Sequence, residues 1–178
     1  MYMKIYVIRH GQTKLNVQGM INGSIDDELT AEGIEQAKAA AVSLPTSIKH
    51  MYVSSLGRAR QTAQYLNAER QLPITFHDEL QEVDFGILNG TPYVGELVRR
   101  HKMMDYDWHP SGENVEDVKN RVLAIIQQIR SESKDEEALI VAHGGIVRML
   151  YFLETNGGIL DEISNASIHS FDLDKILG

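Results

Sequence analysis

No cysteine occurs among the 178 residues. That excludes disulfides, thiolate metal sites and a cysteine nucleophile, including the Cys-Arg loop on which one class of phosphatases is built. No apolar run approaches the roughly 18 residues that a membrane span requires, so the chain is expected to be soluble. The N-terminal Met1-Tyr2-Met3-Lys4 shows none of the basic region, apolar stretch and small-residue cleavage site of a secretory signal, and a cytoplasmic location is expected. Positive charge is in deficit: 17 Lys and Arg stand against 25 Asp and Glu, a net charge of -8. This balance disfavours nonspecific binding to nucleic acid or an anionic membrane, although a local arginine cluster can still hold a small anion. Internal repeats, low-complexity segments and linkers are also lacking, and the length suits a single domain over residues 1–178.

What is present is an alternation of strand and helix patterns. Lys4 to Ile8 is nearly continuous in apolar β-formers, as in a strand buried on both faces of a parallel sheet. After a glycine-punctuated loop, Thr30 can cap a helix whose apolar positions Ile34, Ala37, Ala41 and Leu44 keep helical spacing up to Pro45. Met51 to Val53 predicts a second strand, Ser54 or Ser55 a helix start running through Leu66, and Ile74 to Phe76 a third strand. From Leu80 to Gly112 glycines and prolines break the pattern; this segment, about 80–112, reads as a small cap, with Thr91-Pro92 as a helix start. Asn114 is placed to cap an amphipathic helix carrying Val115, Val118, Val122, Ile125, Ile126 and Ile129. Ala138 to Ala142 predicts another buried strand, Ile146 to Leu153 the following helix, and Asn165 to Leu173 a last strand. The expectation is an α/β fold: a three-layer α/β/α sandwich with a mostly parallel central sheet and a small cap.

Two of the buried strands end in a histidine followed by glycine, His10-Gly11 and His143-Gly144. Ligands of open α/β sheets bind at the carboxyl ends of strands, so both histidines belong on one edge. Glycines there let backbone N–H groups approach an anion, and the helix starting near Gly145 points its positive end at the same place. Arg9 adds a fixed charge. Within Ser54 to Ala63, the first turn of the helix can deliver Arg58 to that edge, whereas Arg60 lies about 200° further round. Two guanidiniums and two imidazoles around an anion-sized gap suit phosphate: arginine forks bind its oxygens, and a neutral imidazole is nucleophilic. The arginines also hold His10 neutral by charge repulsion.

Arg9-His10-Gly11-Gln12-Thr13 with Asn16, followed by Gly23, Asp26, Leu29-Thr30, Gly33 and Gln36-Ala37, resembles the N-terminal signature of the histidine phosphatase superfamily, which includes the cofactor-dependent phosphoglycerate mutases. The resemblance continues through Ser54 to Ala63, Leu80 to Gly86 with Glu82, Gly112-Glu113-Asn114, Ile140 to Gly145 and Asn165 to Ile168. Each piece is weak alone, and the ordered set is hard to obtain by accident. It implies that His10 attacks the substrate phosphorus and becomes phosphohistidine, with Arg9, Arg58 and His143 neutralising the transferring oxygens. Glu82 matches the family's proton donor, and Asn16, Asn22, Gly23 and Gly144 join the substrate-binding set. No metal or other cofactor is implied. Asn114 stands where the family usually has serine, and the chain is shorter than the classical mutases, which favours a phosphatase acting on a small phosphorylated metabolite.

Several readings remain open in the sequence. Glu79 and Asp84 compete with Glu82 as the acid, and Asn16 is as suited to holding its loop as to touching phosphate. Arg60 reads as a solvated partner for a carboxylate, and Arg99-Arg100-His101 as a solvated face. His50, His77, His101, His109 and His169 read as surface or structural residues. Against hydrolysis stand phosphoglycerate mutase-type transfer and a noncatalytic phospholigand-binding module. Nothing in the sequence signals an oligomeric state.

Overall fold

The computed structural model describes residues 3–134 and 136–178. Its elements follow in the order β1 (Lys4–Arg9), α1 (Lys14–Val17), α2 (Ala31–Ser43), β2 (His50–Ser54), α3 (Gly57–Leu66), β3 (Ile74–His77), α4 (Gly95–Lys102), α5 (Val115–Ser133), β4 (Ala138–Ala142), α6 (Gly144–Glu154), β5 (Ile168–Asp172) and α7 (Leu173–Leu177). The five strands lie in the order β3-β2-β4-β1-β5. All pairings are parallel except β1 with β5, which is antiparallel. The mostly parallel α/β fold is as expected.

Side chains alternate across the sheet, as the two-residue repeat of a strand requires. Ile5, Val7, Ile140 and Ala142 pack with Val118, Val122, Ile125, Ile126 and Ile146 on one face. Ile8, Leu139 and Val141 pack with Ala40, Ala59, Ala63 and Leu66 on the other. Helices α5 and α6 therefore cover one face and α2 and α3 the opposite one. Asn114 starts α5 with a reciprocal cap: its Oδ1 accepts from Asp117 N–H at 2.9 Å while Asp117 Oδ2 accepts from Asn114 N–H at 2.9 Å. Thr30 caps α2 in the same sense, accepting from Gly33 N–H at 3.0 Å.

Three boundary expectations are corrected. Thr91-Pro92 begins no helix: Pro92 bridges Met20, and Thr91 O accepts from Ile21 N–H at 2.9 Å. That tertiary pairing overrides the local helix-start signal, and α4 begins only at Gly95 without a side-chain cap. Neither Ser54 nor Ser55 starts α3; Ser54 belongs to β2 and the helix begins at Gly57 after Leu56. The last strand spans only Ile168–Asp172, because Asp172 accepts from Asp174 N–H and turns Leu173 into the first residue of α7. Two short helices, α1 and α7, gave no sequence signal long enough to read, which is expected of elements under two turns.

Candidate active site

The site is built by strand register. β1 and β4 are parallel neighbours with Arg9 opposite Ala142, so the next residue of each, His10 and His143, emerges side by side at the carboxyl edge. Their ring centroids are 5.2 Å apart. β2 lies on the far side of β4, and its last residue, Ser54, places Oγ 2.8 Å from His143 Nε2. Position in the sheet thus converts two distant His-Gly pairs into one cluster.

His10 is buried, and its Nδ1 lies 2.7 Å from Gly11 O. A carbonyl only accepts, so Nδ1 carries the proton and Nε2 keeps its lone pair. Burial first, then the charges of Arg58 and Arg9, hold this imidazole well below the usual pKa. Arg58 Nε donates to that lone pair at 3.3 Å, while its Nη1 and Nη2 donate to Ile25 O and Gly23 O at 2.7 and 2.8 Å. Burial lowers the Arg58 pKa to about 10, which leaves the group charged at neutral pH. His143 is fully buried and equally neutral, depressed by burial, then by Arg58 and by His10. Arg9, at the end of β1, donates to Ile163 O, and its Nε has no partner among the described residues. Close backbone approach needs glycine at position 11, where a Cβ would collide with Gly33 O.

Glu82 comes from the loop after β3. Its carboxylate accepts from Gly145 N–H at 3.0 Å and Val83 N–H at 2.9 Å, which anchors it at the start of α6. The loop is clamped from behind by Arg121 of α5. Its guanidinium donates to Glu79 O, Gln81 O and Glu82 O at 2.7, 2.8 and 3.2 Å and pairs with both oxygens of Glu113. Of the three acidic candidates, Glu82 alone lines the cleft. Asp84 is turned to Gly86 N–H and Asn89, and Glu79 lies half-exposed beside His77.

A cavity of about 110 Å³ opens between these groups, with Arg9, His10, Asn16, Asn22, Gly23, Glu82 and Gly144 on its walls. Arg58 and His143 lie behind the wall, Arg58 bonded to His10 Nε2 and the His143 ring 5.2 Å from that of His10. Asn16 both lines the cavity and holds the loop, donating to Asn22 Oδ1 at 3.1 Å and accepting from Thr13 N–H at 3.2 Å. Arg60 stands outside. It stacks over Phe76 at 4.8 Å, away from the cavity.

Sequence reasoning missed Tyr93, Arg148 and Ile163 on the cavity wall, and it misplaced His101. His101 is not part of a solvated face: Arg99 and Arg100 of α4 point outward, and His101 points inward, 6 % exposed. The partly buried Leu97, one turn earlier, marked that inward face. Arg148 lies one turn after Gly144 on α6, a spacing that could have placed it at the same edge. It donates to Leu160 O and Asp161 O, and together with Arg9 it straps the loop before β5 against the cleft.

The family model of the histidine phosphatase superfamily, branch 1, matches residues 5–175. A Schizosaccharomyces pombe protein named "Probable phosphatase C1687.21" is 32% identical over 90% of this chain and 78% of its own length. An Arabidopsis thaliana protein named "Phosphoglycerate mutase-like protein 4" is 31% identical over 97% of this chain and 80% of its own. Among solved structures, a mycobacterial glucosyl-3-phosphoglycerate phosphatase superimposes with a TM-score of 0.85 at 26% identity, covering 94% of this chain and 90% of the other. The chain belongs to the histidine phosphatase superfamily, and the expected class, a phosphoric monoester hydrolase of the histidine phosphatase type, is borne out at that level. No helix among the described residues is long and apolar enough to cross a membrane.

Proposed function

We propose that the chain is a metal-independent phosphatase that hydrolyses small phosphomonoesters through a phosphohistidine on His10. The observation that carries this reading is the fixed tautomer of His10, whose Nε2 lone pair lies beside the Arg58 guanidinium in a cleft that also holds the Glu82 carboxyl. Nε2 attacks phosphorus as the bond to the ester oxygen breaks, and Glu82, entering protonated, gives its proton to the departing alkoxide. Water then attacks the phosphohistidine, Glu82 takes a proton from it, the P–N bond breaks, and inorganic phosphate leaves. Arg9 supplies donors to the oxygens from the cleft wall, Arg58 adds its charge and His143 its ring dipole from behind His10, and the N–H groups at the start of α6 add positive potential. Positioning and charge account for most of phosphoryl transfer, so this set is sufficient in kind. The small cavity supports a small phosphorylated metabolite as substrate.

His10→Ala is expected to abolish hydrolysis of p-nitrophenyl phosphate, and quenched wild-type reactions should contain an acid-labile phosphoryl group lost in that variant. Full activity in His10→Ala would sink the proposal. Mutase-type transfer is the second reading, favoured by the mutase-like relative. Incubation with a phosphoglycerate separates the two, since release of free phosphate marks hydrolysis and isomer formation without release marks transfer. Tight phosphate binding with no turnover over a broad ester panel would instead indicate a noncatalytic binding module.

A further inference from the structure

The proposed nucleophile leans on one carbonyl, and that carbonyl is itself held in place. His10 Nδ1 lies 2.7 Å from Gly11 O. The oxygen belongs to the Gly11-Gln12 peptide unit, which is trans and planar, so its N–H points opposite to its C=O. That N–H, on Gln12, donates to Gln36 Oε1 of α2 at 3.0 Å. Gly33 lies on the same face of α2, three residues earlier, and lets the helix approach: a Cβ there would collide with Gln12 O, and one on Gly11 with Gly33 O. Position 11 therefore requires glycine, whose backbone has the widest conformational freedom. Unheld, the peptide unit after it can swing its carbonyl away from the imidazole. The preceding unit, His10-Gly11, is tied down separately: its N–H donates to Thr62 Oγ1 at 3.0 Å, and its carbonyl accepts from Asn165 Nδ2 at 3.1 Å.

We infer that Gln36 is a positioning residue for the nucleophile: by accepting from Gln12 N–H it fixes the peptide plane whose other end, Gly11 O, holds His10 Nδ1–H. The inference rests on the role proposed above for His10. Gln36 stands outside the cleft wall and acts only through that peptide unit. A hydrogen bond at the N–H end polarises the unit and makes its oxygen a better acceptor. The benefit grows during the reaction. As Nε2 bonds to phosphorus the ring takes up positive charge, and the bond from Nδ1–H to Gly11 O becomes charge-assisted, about twice as strong as one between neutral groups. An interaction that strengthens toward the transition state raises kcat rather than lowering KM. Arg58 Nε, donating to Nε2 at 3.3 Å, keeps the proton on Nδ1 with or without Gln36. Loss of Gln36 thus weakens the Nδ1 bond and leaves the tautomer as it is.

Gln36→Met removes the acceptor at similar volume. It is expected to lower kcat for p-nitrophenyl phosphate roughly tenfold with KM nearly unchanged, and Gln36→Glu, which keeps an oxygen in reach, to retain most of the rate. NMR of the resting enzyme carrying isotope-labelled histidine reads the bond directly. The His10 Nδ1–H resonance, identified by its absence in His10→Ala, should move upfield and exchange faster with water in Gln36→Met, and keep its place in Gln36→Glu. Thr62→Val loosens Gly11 through the other peptide unit and should leave that resonance where it is. An unmoved resonance or an undiminished kcat in Gln36→Met overturns the inference. So does an equal movement in Thr62→Val, which would make the role of Gln36 merely structural. If Gln36→Met does not fold by circular dichroism, Gln36→Asn, a methylene short of Gln12 N–H, decides in its place. The resonance is read without turnover, so its outcome is distinct from failure of the hydrolytic reading, which shows as activity retained in His10→Ala.

Discussion

At the scale of single residues, the cleft sets a neutral imidazole, the proposed nucleophile, beside a carboxyl held by backbone N–H groups, the proposed acid. His10 is neutral because it is buried beside two arginines, and its Nε2 keeps a lone pair, held against Arg58 Nε, because Gly11 O takes the other nitrogen's proton. Glu82 is fixed by Gly145 and Val83, and its proposed task is to protonate the leaving oxygen. Glu82→Gln should therefore slow hydrolysis of an alkyl phosphate by roughly 100- to 10,000-fold, the usual size of a general acid's contribution. The loss should be much smaller for p-nitrophenyl phosphate, whose leaving group departs without a proton; steady-state kinetics on the pair reads this, and equal losses on both would remove Glu82 from the acid role. His10, Arg58 and His143 were legible in the sequence because each stands at a fixed offset from a strong strand or helix signal. His101 was not, because charge and neighbours in a short basic run do not say which side of a one- or two-turn helix is buried.

Elements matter here chiefly as levers on that geometry. The Glu82 loop has no regular structure beyond a short turn, Asp78–Leu80, and its position is set by α5, whose Arg121 holds three of its carbonyls while Glu113 holds Arg121. The helix itself is anchored by a row of fully buried residues, Val118, Val122, Ile125, Ile126 and Ile129, and by the Asn114 cap. Arg121→Met is thus expected to lower kcat for alkyl esters by up to about 100-fold through a misplaced acid. KM and the rate on p-nitrophenyl phosphate should change far less, and combination with Glu82→Gln should add little further loss. A loss of the same size on both esters would show a merely structural role. The helix was readable from its 3.6-residue apolar spacing and its cap, and the buried strands from their continuous apolar runs. Thr91-Pro92 misled because a helix-start signal is local, whereas its partner, Met20-Ile21, lies some seventy positions earlier and is brought there only by the fold.

For the molecule as a whole, concentrating neutral histidines and desolvated arginines at one sheet edge couples stability to protons. His10, His101 and His143 are all buried, and all have pKa values lowered by burial and by neighbouring positive charge. In the unfolded chain each returns to about 6.5, so below that pH the unfolded state binds protons that the folded state refuses. The sign follows: stability is complete above about pH 6.5 and is lost as pH falls toward the folded values, for His101 down to about 3. Each such histidine removes roughly 1.4 kcal/mol of stability per pH unit in that window, and three together about 4 kcal/mol. Carboxylates titrate at lower pH in the main, which leaves the first unit below 6.5 to the histidines. Urea denaturation at pH 7.5 and 5.5 should show a large loss of midpoint in the wild type, reduced by about one third in His101→Gln, whose side chain does not titrate. An unchanged pH dependence in that variant would mean that His101 binds its proton alike in the folded and unfolded states, and its burial would then contribute nothing to the coupling.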